Sequence, residues 1–172
     1  MVKVVRKSGP GGKRLAALLE GLETVHAKVG FPKNAMHEES NTSLAYIAVI
    51  HENGVPELNI PKRDFMSQTV KRCEKDWIAL VRNGVAGIAV GSETTESVME
   101  TLAGNAENDV KETLEALSSP ELHAGTVIAR EKKQMRGADI ESLTKPLIET
   151  GYLIDHVTHV VEKGKAPKGD SE

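Results

Sequence analysis

The stretch YIAVIHENGVPELNIPKRDF, residues Tyr46–Phe65, predicts two helices joined by a short extended link. Ser43 is a candidate N-cap for the first helix, because a serine hydroxyl can accept hydrogen bonds from first-turn amides. Gly54 is a candidate helix end, because glycine adopts a positive φ without steric cost. Pro61 then fixes the chain direction, and Asp64 is a candidate N-cap for the second helix. The segment therefore predicts structural elements, and it contains no sequence pattern typical of a catalytic site.

Outside this stretch, two segments alternate apolar and polar residues, which is typical of half-buried strands. The first is Thr24–Phe31, and the second carries Val157, His159 and Val161. We expect these strands to pair. Residues 15–22, just before the first strand, carry leucines at helical spacing and predict a short amphipathic helix.

Two long segments of helical periodicity lie between the strands. The first follows Asp64, and its predicted core side consists of Met66, Val70, Cys73, Trp77, Leu80 and Val81. The glycine-rich run Asn83–Gly91 predicts a connector, and Ser92–Leu117 predicts the second helix. Leu122–Lys133 predicts only a brief helical turn.

These patterns predict an α+β fold, with a small antiparallel sheet packed against two long helices and with flexible termini and long loops. A single domain is expected over residues 12–163. A flexible basic arm at 1–11 precedes it, and a disordered tail at 164–172 follows it. Residues 33–42 and 134–145 are polar and predict surface loops.

Charge and composition argue against several classes of function. The 172 residues carry a net charge of −3 with a pI near 6.1, whereas dedicated nucleic-acid-binding domains are usually strongly basic. The single cysteine, Cys73, excludes an intrachain disulfide. No apolar run approaches the ~20 residues that span a bilayer, and no secretory signal is apparent. We therefore expect folding in a cytoplasm and no membrane partner.

Candidate catalytic and metal-binding residues do not combine into a known pattern. His51 and Glu52 match the start of a zinc-protease helix, but Val55 stands where the second histidine is required. His156 and His159 would face opposite sides of a strand. No serine lies in a Gly-x-Ser-x-Gly turn. We expect no catalytic residue, no bound metal and no cofactor.

Two segments carry short patterns in a fixed order. The first has the form A-Y-I-A-x-I-H-E-x-G followed by I-P-x-R-x-F, and its residues are Ala45, Tyr46, Ile47, Ala48, Ile50, His51, Glu52, Gly54, Ile60, Pro61, Arg63 and Phe65. The second has the form L-x-x-x-T-x-x-x-R/K-K followed by P-L-I-x-T-G-x-L-x-x-S-I, and its residues are Leu122, Thr126, Arg130, Lys132, Pro146, Leu147, Ile148, Thr150, Gly151, Leu153 and Val157. Together they resemble a family of tailed-phage minor tail proteins, the tail-completion or neck proteins of the head–tail junction. The resemblance covers residues 12–163 and departs at Ala124, where proline is common, and at His156, where a small polar residue is common.

The resemblance implies a structural virion protein of a tailed phage or prophage, placed in the tail or neck and in the host cytoplasm during assembly. It implies a homo-oligomeric, hexameric ring that completes the tail and joins it to the head. The implied partners are the tail tube or tail terminator protein and the head connector or adaptor protein. Genomic DNA would pass through the lumen without specific binding, which suits an acidic chain.

The resemblance also singles out candidate structural and interface residues. They are Tyr46, His51, Glu52, Gly54, Pro61, Arg63, Phe65, Pro146, Thr150 and Gly151. Phe65 is expected to fill the core, and His51 to be a partly buried packing residue with a hydrogen bond at one nitrogen. Arg63 is expected either to meet a carboxylate across a subunit boundary or to form a surface salt bridge.

Three alternatives stay open. The chain could be a tail terminator or connector adaptor of the same neck region. It could be a small metal-dependent hydrolase that uses His51, Glu52, His156 and His159. It could also be a nucleic-acid-binding accessory protein, because its first 14 residues are basic and contain no acidic residue.

Overall fold

The computed structural model describes residues 9–13, 16, 21, 24–37 and 40–164. Its elements, in order, are β1 (Val25–Gly30), α1 (Leu44–Asn53), a single 3-10 turn (Pro56–Leu58), α2 (Phe65–Val90), α3 (Thr95–Ala116), α4 (Ala124–Met135), α5 (Tyr152–Asp155) and β2 (Thr158–Lys163). The two strands form an antiparallel sheet, so the predicted pairing is confirmed. None of the helices in this described part of the chain combines the length and apolar content that crossing a membrane requires.

The chain divides into two compact units. The core unit comprises Val29–Glu74 and Ala106–His159. The second unit comprises Lys75–Asn105 together with the described parts of Met1–Lys28 and Val160–Glu172. Helices α2 and α3 and both strands contribute residues to both units.

The core unit is built around one apolar cluster. Its buried members are Leu44, Ala48, Phe65, Val110, Leu114, Leu153, Ile154 and Val157, and Val29 and Phe31 pack against them from the end of β1. Phe65 is completely buried and meets Phe31 edge to face, with ring centroids 6.4 Å apart. This packing of the sheet on α2 and α3 confirms the predicted α+β fold.

The buried stripe of α2 is rotated from the predicted one. Phe65, Thr69 and Cys73 are buried, whereas Val70 is about half exposed. Thr69 can be buried because its hydroxyl donates to the Phe65 carbonyl at 2.8 Å and lies 2.8 Å from the Thr113 hydroxyl of α3. Of the six residues predicted to face the core, Cys73 is buried and Met66 packs against the apolar cluster, whereas Trp77, Leu80 and Val81 are only partly buried.

In the second unit, α2 continues to Val90, so the connector predicted at residues 83–91 is wrong. A Cβ atom at Gly84 would overlap the Val98 side chain, and one at Gly87 would lie 2.8 Å from Cγ of Glu93. The glycines therefore allow the start of α3 to lie close to α2. Each destabilises the helix by about 1 kcal/mol relative to alanine. Composition alone does not separate this use of glycine from a loop.

Helix α4 has 12 residues, so the predicted brief turn is wrong. Residues 136–145 form the predicted surface loop, although Ile140 is buried. Residues 10–13 are helical, with the Lys13 amide donating to the Gly9 carbonyl at 3.2 Å. Residues 1–8 of the predicted flexible arm lie outside the described residues. The predicted leucine helix, with Leu15, Leu18, Leu19 and Leu22, and the tail residues 165–172 lie outside the described residues.

Candidate functional site

The two segments that carry the family resemblance meet at one cavity of about 870 Å³ in the core unit. Its walls come from α1, from residues between Asn53 and Arg63, from Pro120–His123, from α4, and from residues between Leu147 and Leu153. His51, Gly54, Pro61, Arg63 and Thr150 all line it. The structure thus brings five of the ten candidate residues together.

Glu52 lies next to the cavity and caps helix α2. Its carboxylate accepts the Met66 amide at 2.9 Å and the Ser67 amide at 3.0 Å. A negative charge is favourable here because the first amides of a helix lack intrahelical acceptors. Ser43 and Asp64 directly precede α1 and α2 as predicted, but the Ser43 side chain makes no capping bond, and Asp64 Oδ1 accepts from the Gln68 side chain.

Gly54 ends α1 with a positive φ of 73°, as the sequence predicts. A Cβ atom here would lie 2.7 Å from the backbone nitrogen of Lys62 and 2.9 Å from its Cα. Glycine is therefore required at position 54 for two reasons. It adopts the positive φ without strain, and it has no Cβ atom to clash with the backbone of Lys62.

Replacing Gly54 with alanine is expected to lower the free energy of unfolding by about 2 kcal/mol, because it combines a strained φ with a backbone clash. Urea denaturation measures this. The matched control is Gly137→Ala, where φ is also positive (90°) but no atom lies within 4 Å of the added Cβ. Equal losses at both positions would refute the role of the Lys62 contact.

Arg63 is held inside the core unit, with only 4% of its surface exposed. Its backbone amide donates to the His51 carbonyl at 2.7 Å. Its Nε and Nη2 donate to the Pro120 carbonyl at 3.2 and 3.0 Å, and Nη2 also reaches the Glu121 carbonyl at 3.4 Å. The expected surface salt bridge is therefore wrong, and no carboxylate of the described residues pairs with Arg63. A carboxylate from another subunit stays a prediction.

Arg130 is the second buried arginine of the cavity, at 5% exposure. Its Nη1 donates to the carbonyls of Ser142, Lys145 and Ile148 at 2.8, 2.9 and 3.3 Å. Its Nε lies 3.7 Å from a carboxylate oxygen of Glu149, too far for a good hydrogen bond. One side chain from α4 thus holds the backbone of residues 142–148, which connects the two parts of the second pattern.

The two guanidinium groups influence each other. Burial lowers the pKa of Arg63, and the neighbouring charge of Arg130 lowers it further. Burial also lowers the pKa of Arg130, against the opposing effect of Glu149. Arginine stays charged despite such shifts, so the cavity wall carries two partly desolvated positive charges.

His51 is the neutral neighbour of these cations. Burial, and then the charge of Arg63, lower its pKa from the ordinary 6.5 to about 4. Its partial burial is as predicted, but the expected ring hydrogen bond is absent: Nδ1 is enclosed and lacks a partner among the described residues. His51 is therefore an uncharged packing residue near neutral pH.

The lowered pKa of His51 predicts a pH-dependent stability. Between pH 6.5 and about 4 the unfolded chain binds a proton at this residue that the folded chain does not. The free energy of unfolding should therefore fall as pH falls through that window, and this contribution should be complete above pH 6.5. An NMR titration of the His51 ring should give a midpoint near 4, and a midpoint near 6.5 would contradict the placement.

The remaining candidate residues do not line the cavity. Phe65 and Pro146 are fully buried, as befits packing residues. Gly151 has φ of 71° at the start of α5, where a Cβ would overlap the Glu141 carboxylate. Tyr46 lies on the outer side of α1 and is 60% exposed. Its surface position fits an interface residue better than a packing residue.

Three of the four residues of the hydrolase alternative have separate partners. Glu52 caps α2, His156 Nδ1 lies 2.8 Å from the Tyr152 carbonyl, and His159 Nδ1 lies 2.6 Å from the Glu107 carboxylate. Within the residues that the structure describes, no three His, Cys, Asp or Glu side chains are placed to share an ion. The histidines are thus not brought to a common centre.

A second feature with functional meaning is the apolar end of α2 in the second unit. Ten of the fourteen residues from Trp77 to Val90 are apolar, yet none of these fourteen, all of them described, is buried. Ile78 is 50% and Val90 72% exposed. A helix that is apolar on all sides is normally buried, so this end has the character of a contact surface.

No protein-family model, characterised protein or solved structure matches this chain.

Sequence reasoning missed the roles of Arg130 and Glu52. Arg130 falls in the L-x-x-x-T-x-x-x-R/K-K pattern, but nothing in that pattern tells which carbonyls it binds. Glu52 lies in the last turn of α1, fourteen residues before the first amide that it caps, so it does not fit the usual rule for caps. Both residues bind backbone groups that are too distant in sequence to belong to the same local pattern.

Proposed function

We propose that this chain is a structural virion protein of a tailed phage or prophage that assembles into a ring at the head–tail junction. In this proposal the ring completes the tail and joins it to the head connector. The protein works by docking to copies of itself and to a tube, and it performs no chemistry.

The observation that carries the proposal is the unburied apolar end of α2, Trp77–Val90. Exposed apolar surface costs about 25 cal/mol for each Å² that could be removed from water. A second copy of the chain is the partner that a ring requires, since repeated head-to-tail contacts close into rings when the rotation permits.

The use of the polar candidates supports the same proposal. Arg63 and Arg130 donate hydrogen bonds to backbone carbonyls, and the Glu52 carboxylate caps the start of α2. These residues build a rigid frame around the cavity. The family resemblance of the two segments adds the tail-completion role and the hexameric stoichiometry.

Native mass spectrometry of the protein, alone and with assembled tail tubes, tests the proposal. We expect a closed species near six times 18.6 kDa. The double variant Ile78→Asp/Val90→Asp should stay monomeric. Ile128→Asp is the matched control, because Ile128 of α4 is also about half exposed but lies outside this surface. A wild-type monomer that never joins tubes would refute the proposal, as would a double variant that assembles normally.

Electron microscopy of particles made without this protein separates the related neck roles. Finished tails that fail to join heads support the proposed role. Tails of uncontrolled length would instead indicate a tail terminator, and heads that lose DNA would indicate a connector adaptor.

A further inference from the structure

The cavity contains two arginines whose hydrogen-bonding capacity is only partly used. Arg63 and Arg130 are each at least nine-tenths buried and both line it. In Arg63 the Nη1 nitrogen makes no hydrogen bond to a described residue, and in Arg130 the same holds for Nη2. Neither atom belongs to the fully enclosed polar atoms that lack partners. Each guanidinium therefore keeps a donor that a ligand can reach.

The acidic side chains around the cavity do not supply enough negative charge to balance the two guanidinium groups. Among the described residues no carboxylate lies within 4.0 Å of Arg63. Glu149 approaches Arg130 at 3.7 Å but also pairs with Lys133 at 2.9 Å. Buried charges are normally compensated by an opposite charge as well as by hydrogen bonds, and Arg63 has only carbonyl dipoles.

We propose that the cavity is a binding site for a carboxylate side chain presented by an acidic peptide segment of a partner protein. The free nitrogens of Arg63 and Arg130 donate to its two oxygens. The proposal rests on the geometry of the cavity alone and stands apart from the proposed virion role.

Two observations favour a carboxylate over a phosphate. The charged side chains of the wall are Lys62, Arg63 and Arg130 against Glu121 and Glu149, an excess of one positive charge. A single carboxylate matches that excess, whereas a doubly charged phosphate would face the two acidic side chains. Planar guanidinium groups also suit the two oxygens of a carboxylate.

The volume and the other walls favour a peptide over a free small acid. About 870 Å³ is far more than a carboxylate group fills and lies within the usual range of ~300–1,000 Å³ for ligand sites. Leu44, Ile47, Leu147 and Leu153 add apolar surface, and Tyr152 adds an aromatic ring. The flanking parts of a short segment can pack on these side chains.

The test uses the whole protein and two capped peptides, acetyl-Ala-Glu-Ala-amide and acetyl-Ala-Gln-Ala-amide, with inorganic phosphate as a third probe. NMR of the guanidinium N–H groups and calorimetry should show the Glu peptide binding at least about tenfold more tightly than the Gln peptide. The Arg63 and Arg130 signals should shift and that of Arg72 should not, because Arg72 lies outside the cavity. Equal binding of both peptides, or no shift at either buried arginine, would overturn the proposal. So would phosphate binding more tightly than the Glu peptide.

Substitutions give an independent arm. Arg63→Lys should weaken the Glu peptide at least about tenfold, and Arg72→Lys, a surface arginine paired with Glu112, should not. If Arg63→Lys fails to fold, Thr126→Glu decides the question, because Thr126 is an exposed residue of the cavity rim and its new carboxylate should repel the ligand. Thr144→Glu, exposed and outside the cavity, is its control. Unchanged binding in Thr126→Glu would count against the site.

Discussion

Phe65→Ala is expected to lower the free energy of unfolding by about 3–5 kcal/mol, the largest loss that we expect for a single truncation among the described residues. Phe65 is completely buried, begins α2, and packs with Phe31 and the apolar cluster of the core unit. Alanine would leave a cavity that the surrounding helices and strands cannot fill by small shifts. Since domains are stable by only about 5–15 kcal/mol, we expect a large drop in soluble yield.

Urea denaturation followed by circular dichroism measures this loss. Val70→Ala, on the same helix but about half exposed, is the matched control and should cost less than about 1 kcal/mol. Similar losses at both positions would show that Phe65 is not the central packing residue.

Arg130→Met is expected to cost about 3 kcal/mol, although methionine keeps much of the side-chain volume. The substitution removes the donor that serves the carbonyls of Ser142, Lys145 and Ile148. Buried acceptors that lose a donor cost about 1–3 kcal/mol each, and a partial rearrangement of the loop should recover some of this.

Hydrogen exchange locates the effect of Arg130→Met. Amides of residues 140–149 should exchange faster, whereas those in the middle of α3 should be affected only through the global loss of stability. Lys132→Met on the exposed side of the same helix is the control and should leave both unchanged. A loss of protection spread evenly over the chain would contradict a local role.

The fold was largely predictable because its main signals are local. Alternation found both strands, and Gly54 marked the end of α1. The errors arose where one residue type serves two purposes. Gly84 and Gly87 suggested a loop, but inside α2 they allow α3 to approach. The apolar stripe predicted for α2 left out Thr69, whose hydroxyl is satisfied within the core.

The candidate site was only partly predictable. The patterns selected Arg63 and Arg130 as positions but gave no indication that both would be buried at one cavity. Their partners are carbonyls of Pro120 and of residues 142–148, and a backbone carbonyl carries no residue identity that a sequence pattern can display. Burial of a charge depends on the whole fold and cannot be inferred from neighbours in sequence.

The cap that Glu52 supplies to α2 couples the unwinding of α1 to the unwinding of α2. Its carboxylate stands at the end of α1 but holds the amides of Met66 and Ser67. We therefore expect a fluctuation that unwinds the last turn of α1 to release the beginning of α2 as well, fourteen residues from Glu52. The two helices should behave as a single cooperative segment, whose unwinding would also shift the link between them, which forms part of the cavity wall.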